Sequence, residues 1–187
     1  MKDKLGVVHG RFQLIHNEHM KYILAGKERC DHLIIGICNP DITLTKYSDA
    51  SPHRSQAESN PFTYYERLQM IQGAILESGI TLDEFDIVPF PINYPELIFN
   101  YVPYNAKFYM TIYDEWGIEK KKMLEDIGYD VEVMWNRDIS EKALSGTYVR
   151  NCIKENLNWD QYVPQFVYQY IKQRNLDDRI QTIRKLG

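Results

Sequence analysis

At 187 residues the chain is long enough for one domain with a real core, and 44% hydrophobic with 26% charged residues is the balance of a soluble globular protein. A net charge of −4 argues against a protein that binds along a nucleic-acid backbone, which presents a basic face, while leaving room for a local basic pocket around a small phosphate ligand. Cys30, Cys38 and Cys152 form no zinc or redox spacing, "MKDKLGVV" has no signal-peptide core and "LIIGIC" is too short to span a bilayer, so a cytoplasmic protein with reduced thiols, no metal site and no membrane partner is expected.

The apolar run Lys4 to Gly10, "KLGVVHG", predicts a buried strand ending in glycine. "NEHMKYILAGKER" has helical spacing, with Met20, Ile23 and Leu24 on one face. "HLIIGICNP" predicts a second buried strand closed by Asn39-Pro40, which makes a βαβ unit with parallel strands. Residues 41–60 are polar and read as a long loop of the kind that is usually functional or disordered. Thr63 and Glu66 are spaced as a capping box ahead of an apolar stripe at Leu68, Ile71 and Ile75. "FDIVPFPI" is expected as the third strand and "YPELIFNYVP" as a short helix. "AKFYMTIY" and "YDVEVMWN" are the fourth and fifth strands, on either side of a helix over "DEWGIEKKKMLEDIG" that stops at Gly128. "SGTYVRNCIKEN" and "WDQYVPQFVYQYIKQRN" are terminal helices, with Pro164 starting or kinking a helical piece. The tail "LDDRIQTIRKLG" fits a helix or a loose end. The alternation predicts one α/β domain over residues 1–187, with a parallel sheet of about five strands.

Ligands in open α/β sheets bind beyond the carboxyl ends of the strands, which places Gly10 to Gln13 at the first position to consider. Gly10 lets the backbone approach a ligand, and Arg11 can fork onto a phosphate or carboxylate. His16 and His19 are three apart and share one side of the first turn of the next helix. A helix start already attracts anions, so two imidazoles there suit phosphates that accumulate charge. A cap at His16 with a surface His19 is the plainer alternative, and a zinc reading lacks a third ligand. The second constellation is "LSGTYVR", Leu144 to Arg150. Ser145 is a good N-cap, Gly146 permits close approach, the first-turn N–H groups including that of Thr147 are open to a phosphate, and Arg150 can reach an anion lodged at that helix start.

"GRFQLIHNEH" resembles the Gly-Arg-Phe-Gln-x-x-His-x-Gly-His stretch of the nucleotidyltransferase superfamily, and "LSGTYVR" resembles its Ile-Ser-x-Thr-x-x-Arg motif. "NPFTYYERLQMI" and "WDQYVPQFVYQYI" look like segments of the archaeal-type nicotinamide-mononucleotide adenylyltransferases, so the likeness covers roughly Lys4 to Ile171. The resemblance implies a Rossmann-like fold with helices on both faces of the sheet. It implies an enzyme that joins a nucleoside triphosphate to a phosphate monoester and releases pyrophosphate, with Mg²⁺ carried by the nucleotide. His16, His19 and Arg150 would then be catalytic; Gly10, Arg11, Phe12, Gln13, Ser145, Gly146 and Thr147 would bind the nucleotide. Self-association is implied by the same analogy.

The departures from the family pattern cluster on the substrate side. Glu18 stands where the motif has glycine; it either turns to solvent, reads a base or ribose, or damages the site. Ser59 and Asn60 stand where an arginine is usual, and Arg54 is the candidate to substitute for it. "TIYDEWG" replaces a Ser-Gly-Asn type sequence at the end of the fourth strand: Tyr113 and Trp116 could stack on a ring and Asp114 could read hydroxyls, or Asp114 simply starts a helix. Phe99 and Tyr101 supply either a stacking wall or core packing. On overall resemblance the first expectation is ATP-dependent adenylyl transfer to nicotinamide or nicotinate mononucleotide. The alternatives are a cytidylyltransferase that activates another phosphate or phosphonate with CTP, and a nucleotide-binding sensor without catalysis.

Overall fold

A computed structural model describes residues 2–41, 59–138, 140 and 144–183. Arg54 lies outside the described residues. The chain runs β1 (Asp3–Gly10), α1 (Asn17–Arg29), β2 (Cys30–Cys38), α2 (Tyr64–Glu77), β3 (Phe85–Phe90), β4 (Lys107–Ile112), α3 (Glu115–Asp126), β5 (Asp130–Asn136), α4 (Gly146–Lys154), α5 (Gln165–Gln173) and α6 (Leu176–Thr182). All strand pairs are parallel, in the order β3-β2-β1-β4-β5. The order reverses between β1 and β4, which opens a crevice above their carboxyl ends. The Rossmann-like expectation and the five parallel strands are both realised.

The element boundaries have local causes. β3 stops at Phe90, two residues before the expected end, where Pro91 has no N–H to extend the ladder. Pro89 is tolerated inside β3 because β3 is an edge strand. The helix expected over 94–103 is a 3-10 segment, Pro95–Asn100. Four helix starts are capped by side chains: His16 for α1, Thr63 for α2 with the full capping box to Glu66, Asp114 for α3 and Ser145 for α4. Pro164 sits just ahead of α5, its ring suited to a helix start. The tail folds into α6, fastened by Lys172 to Asp177 at 2.6 Å and by a two-pronged contact of Arg179 with Glu66 at 2.7 and 2.8 Å.

Side chains alternate across a strand, so the sheet builds two cores. Val8, Ile35, Ile37 and Tyr109 face one side, where they pack with Ile23 of α1, Ile71 of α2, Val149 of α4 and Ile171 of α5. Val7, Ile34, Phe108 and Met110 face the other, with Leu124 of α3, Ile98 and Tyr129. Helices therefore cover both faces. Among the described residues no helix is long and apolar enough to cross a membrane.

Candidate active site

A cleft of about 310 Å³ opens at the carboxyl edge of the sheet, a size suited to a small ligand. The ends of β1, β2 and β4 and the starts of α1, α3 and α4 line it, so the two sequence motifs meet there although 125 residues separate His19 from Leu144.

The His-x-x-His side is built around the α1 N-terminus. His16 is 2% exposed, and its Nδ1 accepts the His19 backbone N–H at 3.4 Å. A neutral His16 ring held this way carries its proton on Nε2. The two imidazoles stack with centroids 3.7 Å apart, and the His19 ring meets the edge of Phe12 at 5.1 Å. The plain alternative, His16 as a helix cap, is thus true, and capping is also what orients the ring. Phe12 has φ +50° and is 1% exposed; its ring folds over Gly10, where an added Cβ would come within 2.9 Å of it. Gly10 is needed for that close approach.

The second motif docks directly on the first. Ser145 caps α4 by accepting the Tyr148 N–H at 3.1 Å. A Cβ on Gly146 would stand 3.0 Å from the Gln13 carbonyl and 3.2 Å from the Leu14 nitrogen, so only glycine lets the helix start sit against that peptide without displacement. Arg150, 5% exposed, donates through Nη1 to the Gln13 carbonyl and through Nη2 to Thr147 Oγ1 at 3.1 Å. It is a strut between the motifs as well as a cation of the cleft. Gln13 also braces a third segment, since its side-chain amide donates to the Phe62 carbonyl and accepts the Phe62 N–H, both at 2.9 Å. Its side chain is therefore engaged with protein backbone, while the residue still lines the cleft.

The remaining expected residues divide. Arg11, Glu18, Tyr113 and Trp116 line the cleft. Glu18 is ion-paired with Lys21 one turn along α1, so its charge is offset locally, and it also borders a neighbouring recess with Thr111, Tyr113, Trp135 and Arg137. Asp114 does not line the cleft; its Oδ1 accepts the Gly117 N–H at 2.9 Å, the helix-start reading. Phe99 and Tyr101 lie away from it. Phe99 stacks on Tyr104 at 3.9 Å and on Tyr129 at 5.2 Å against the core of the α3 face, and Tyr101 is 40% exposed.

The structure adds residues that lie outside both sequence motifs: His9, Cys38, Asn39, Ile92, Asn93 and Lys120. His9 is 8% exposed, its ring stacks on Phe90 at 4.8 Å, and its Nδ1 finds no hydrogen-bond partner among the described residues. Burial, then the Lys120 charge, pushes the imidazole down to about 3, so the ring is neutral near pH 7. Asn39 adopts φ +50°, and Asn93 Nδ2 donates to its Oδ1 at 3.3 Å. A polar residue in the last inward position of a buried strand, as in "VVHG", was the available signal for His9.

Arg67 of α2 is a further residue without a sequence signal. It is 2% exposed, and its guanidinium donates to the carbonyls of Arg11, Cys38 and Asn39, each at 2.8 Å. It holds together the two strand-end loops that line the cleft.

Comparison with known proteins identifies the family. Residues 7–152 match the cytidylyltransferase-like family. A phosphonoformate cytidylyltransferase of Streptomyces viridochromogenes is 43% identical over 175 residues, covering 94% of each chain. A nicotinamide-nucleotide adenylyltransferase of Saccharolobus solfataricus is 31% identical over 182 residues, covering 95% of each. Among solved structures, a bifunctional NMN adenylyltransferase/ADP ribose pyrophosphatase from Francisella tularensis superposes with a TM-score of 0.64 at 18% identity; the match covers 95% of this chain and 52% of that one, about half of the larger protein. With its two motifs joined in one cleft and the family match spanning most of its length, the chain belongs to the cytidylyltransferase-like family and is a nucleotidyltransferase.

Proposed function

We propose that the chain is a CTP-dependent cytidylyltransferase whose acceptor is a small phosphonate or phosphate monoester. The observation that carries this reading is the character of the cleft. Phe99 and Tyr101, expected either to wall a pyridine pocket or to pack in the core, lie away from the cleft, and Tyr113 and Trp116, the rings that do line it, stand on its β4–α3 side. The cleft wall at the ends of β1 and β2 and just after β3 is made of His9, Cys38, Asn39, Ile92 and Asn93, with no phenyl or indole ring. The 43% identity to a phosphonoformate cytidylyltransferase supports the same choice over the 31% identity to an adenylyltransferase. The order expected from sequence, adenylyl transfer first and cytidylyl transfer second, is thereby reversed.

In this reading an oxygen of the acceptor attacks the α-phosphorus of CTP in line. The new P–O bond forms as the bond to the bridging α–β oxygen breaks, and that oxygen leaves with the electron pair as part of pyrophosphate. Positioning and charge stabilisation supply most of the catalysis. The His16 Nε2–H and the His19 ring serve the triphosphate oxygens, Arg11 holds a phosphate, and the first-turn N–H groups of α4 receive the departing pyrophosphate. The residues around these positions are imidazoles and guanidinium groups, and no cluster of three or more His, Cys, Asp or Glu capable of holding a metal occurs among the described residues. That donor set fits a triphosphate bringing its own Mg²⁺, which would supply charge neutralisation between the phosphates. Arg150 keeps the two motifs in register.

The test is pyrophosphate release with CTP, ATP, GTP and UTP, each crossed against phosphonoformate, other small phosphonates, phosphate monoesters and nicotinamide mononucleotide, with Mg²⁺. CTP with a small phosphonate is the expected productive pair. Turnover confined to ATP with the pyridine mononucleotide would overturn the reading in favour of the adenylyltransferase, which the 31% relative supports. Nucleotide binding without turnover on any pair would leave a sensor.

A further inference from the structure

The cleft spans both faces of the sheet, and the faces differ in chemistry. His16, His19 and the α4 start stand with the core of the α1 and α4 face, where Met20 and Val149 are buried. His9 is one step from Val8 along β1 and turns the opposite way, with Val7, into the core of the α3 face. Its neighbours there are Phe90, Phe108 and the Lys120 ammonium. His9 therefore stands on the other side of the cleft from the groups assigned to the triphosphate. The recess beyond Glu18 carries Tyr113 and Trp135, flat rings suited to a base. The His9 end has hydrogen-bonding groups and a cation instead.

We propose that His9 and Lys120 form a subsite for a second acidic group of the acceptor, so that the preferred acceptor carries a carboxylate beside its phosphonate. Three features support it. First, the buried His9 Nδ1 has no hydrogen-bond partner among the described residues, which is costly unless a ligand completes it. Second, the ring is locked by its 4.8 Å stack on Phe90, so it is preorganised to direct that nitrogen. Third, Lys120 comes from α3 with its ammonium 5.9 Å from the Trp116 ring centroid, at the wall of the same cleft. The same burial and cationic neighbour that keep His9 neutral give an anion seated there an opposite charge and a neutral donor. Asn39 and Asn93, tied to each other at 3.3 Å, close the rim. An acceptor with only one acidic group places nothing on the His9 Nδ1.

The inference rests on the cytidylyl-transfer reading for the reaction but is tested separately from it. The probes are phosphonoformate, which has the carboxylate, and methylphosphonate, which lacks it. Binding of each is measured by calorimetry without nucleotide, and KM by pyrophosphate release with CTP and, in parallel, with ATP. Wild-type protein is expected to favour phosphonoformate by about 10- to 100-fold, the value of a hydrogen bond to a charged group. His9→Phe keeps a ring against Phe90 and removes the nitrogens; Lys120→Met keeps an apolar stem and removes the charge. Each is expected to erase most of the preference while leaving CTP binding within about threefold of wild type. Equal binding of the two acids by wild-type protein, or a preference that survives both substitutions, overturns the subsite. A preference for ATP over CTP overturns the cytidylyl reading alone, because the two acids are still compared on the same protein.

Discussion

Replacing Arg67 with methionine tests the proposition that one buried guanidinium holds the cleft together. Its three 2.8 Å bonds to the Arg11, Cys38 and Asn39 carbonyls, and a longer one of 3.3 Å to the Thr63 carbonyl, join loops from β1, β2 and the α2 start. Hydrogen bonds to a charged donor contribute about 1.5–3 kcal/mol each net of desolvation, so the three short ones contribute on the order of 4–9 kcal/mol. Burial, which pushes the guanidinium from its ordinary 12.5 down to about 10, places Arg67 at the low end of that range. The net loss on Arg67→Met is therefore about 4 kcal/mol. Unfolding entropy near 2.1 cal/mol/K per residue gives about 0.4 kcal/mol/K for 187 residues, so Tm should fall by about 10 °C in thermal denaturation followed by circular dichroism. Arg67→Lys, with a point charge that reaches one or two of the carbonyls, should recover part of that. Activity measured well below the new Tm should fall further than stability predicts, with a raised KM for the acceptor, because Arg11 and Asn39 lose their common anchor. A Tm shift under about 3 °C with unchanged KM would refute the reasoning.

His16→Ala should lower kcat by about 10²- to 10³-fold with a KM for CTP near wild type, as expected of a group that acts on developing charge. It should also cost about 1 kcal/mol of stability as the α1 cap is lost, and kcat within threefold of wild type would remove the catalytic role. Glu18→Gly should cost about 1 kcal/mol through the first-turn glycine and the lost Lys21 pair, and should shift the CTP-to-ATP preference by about tenfold if, as its place between cleft and recess suggests, the carboxylate reads the base. Burial alone would raise the Glu66 carboxyl, but the Arg179 fork and the Thr63 N–H bring it below the ordinary carboxylate range. A group depressed in the folded state stabilises above its unfolded pKa of about 4.3 and loses that contribution as the pH falls through its folded value. Wild-type protein should therefore lose stability in acid below about pH 4.3, and Arg179→Gln should show a shallower decline across the same window.

What the sequence displayed was the part of the site made by local chemistry. A strand followed by "GRF", a polar helix start with two imidazoles and a Ser-Gly-Thr helix start can each be read from neighbouring residues, because caps and i,i+3 spacing are local. Thr63 and Glu66 were legible for the same reason. His9 was not, since its importance depends on which face of β1 it takes and on Phe90 and Lys120, residues that arrive from β3 and α3. Arg67 was invisible in a helix that also buries Met70, Ile71 and Ile75, because an arginine beside an apolar stripe usually points to water. Phe99 stayed undecided for the converse reason: an aromatic cluster in "NYPELIFNY" packs equally well on a ligand or on Tyr129, and the structure realises the packing.

The division of the cleft between two faces explains why reaction class and substrate separate so cleanly here. In the proposed reading the triphosphate side is assembled by close backbone packing and by side chains that grip backbone: Gly146 against the Gln13–Leu14 peptide, Arg150 on the Gln13 carbonyl, and the Gln13 amide on the Phe62 backbone. Changing any of these moves the whole clamp, so the chemistry they support is bound to the fold. In the proposed reading the acceptor side is made by side chains, those of His9, Asn39, Asn93 and Lys120, rather than by the backbone of a motif. A nucleotidyltransferase can thus acquire a different acceptor through a few such positions while its clamp stays as it is. The motif that identifies the reaction is accordingly silent about the acceptor, and the histidine one residue ahead of that motif is where the acceptor should be sought.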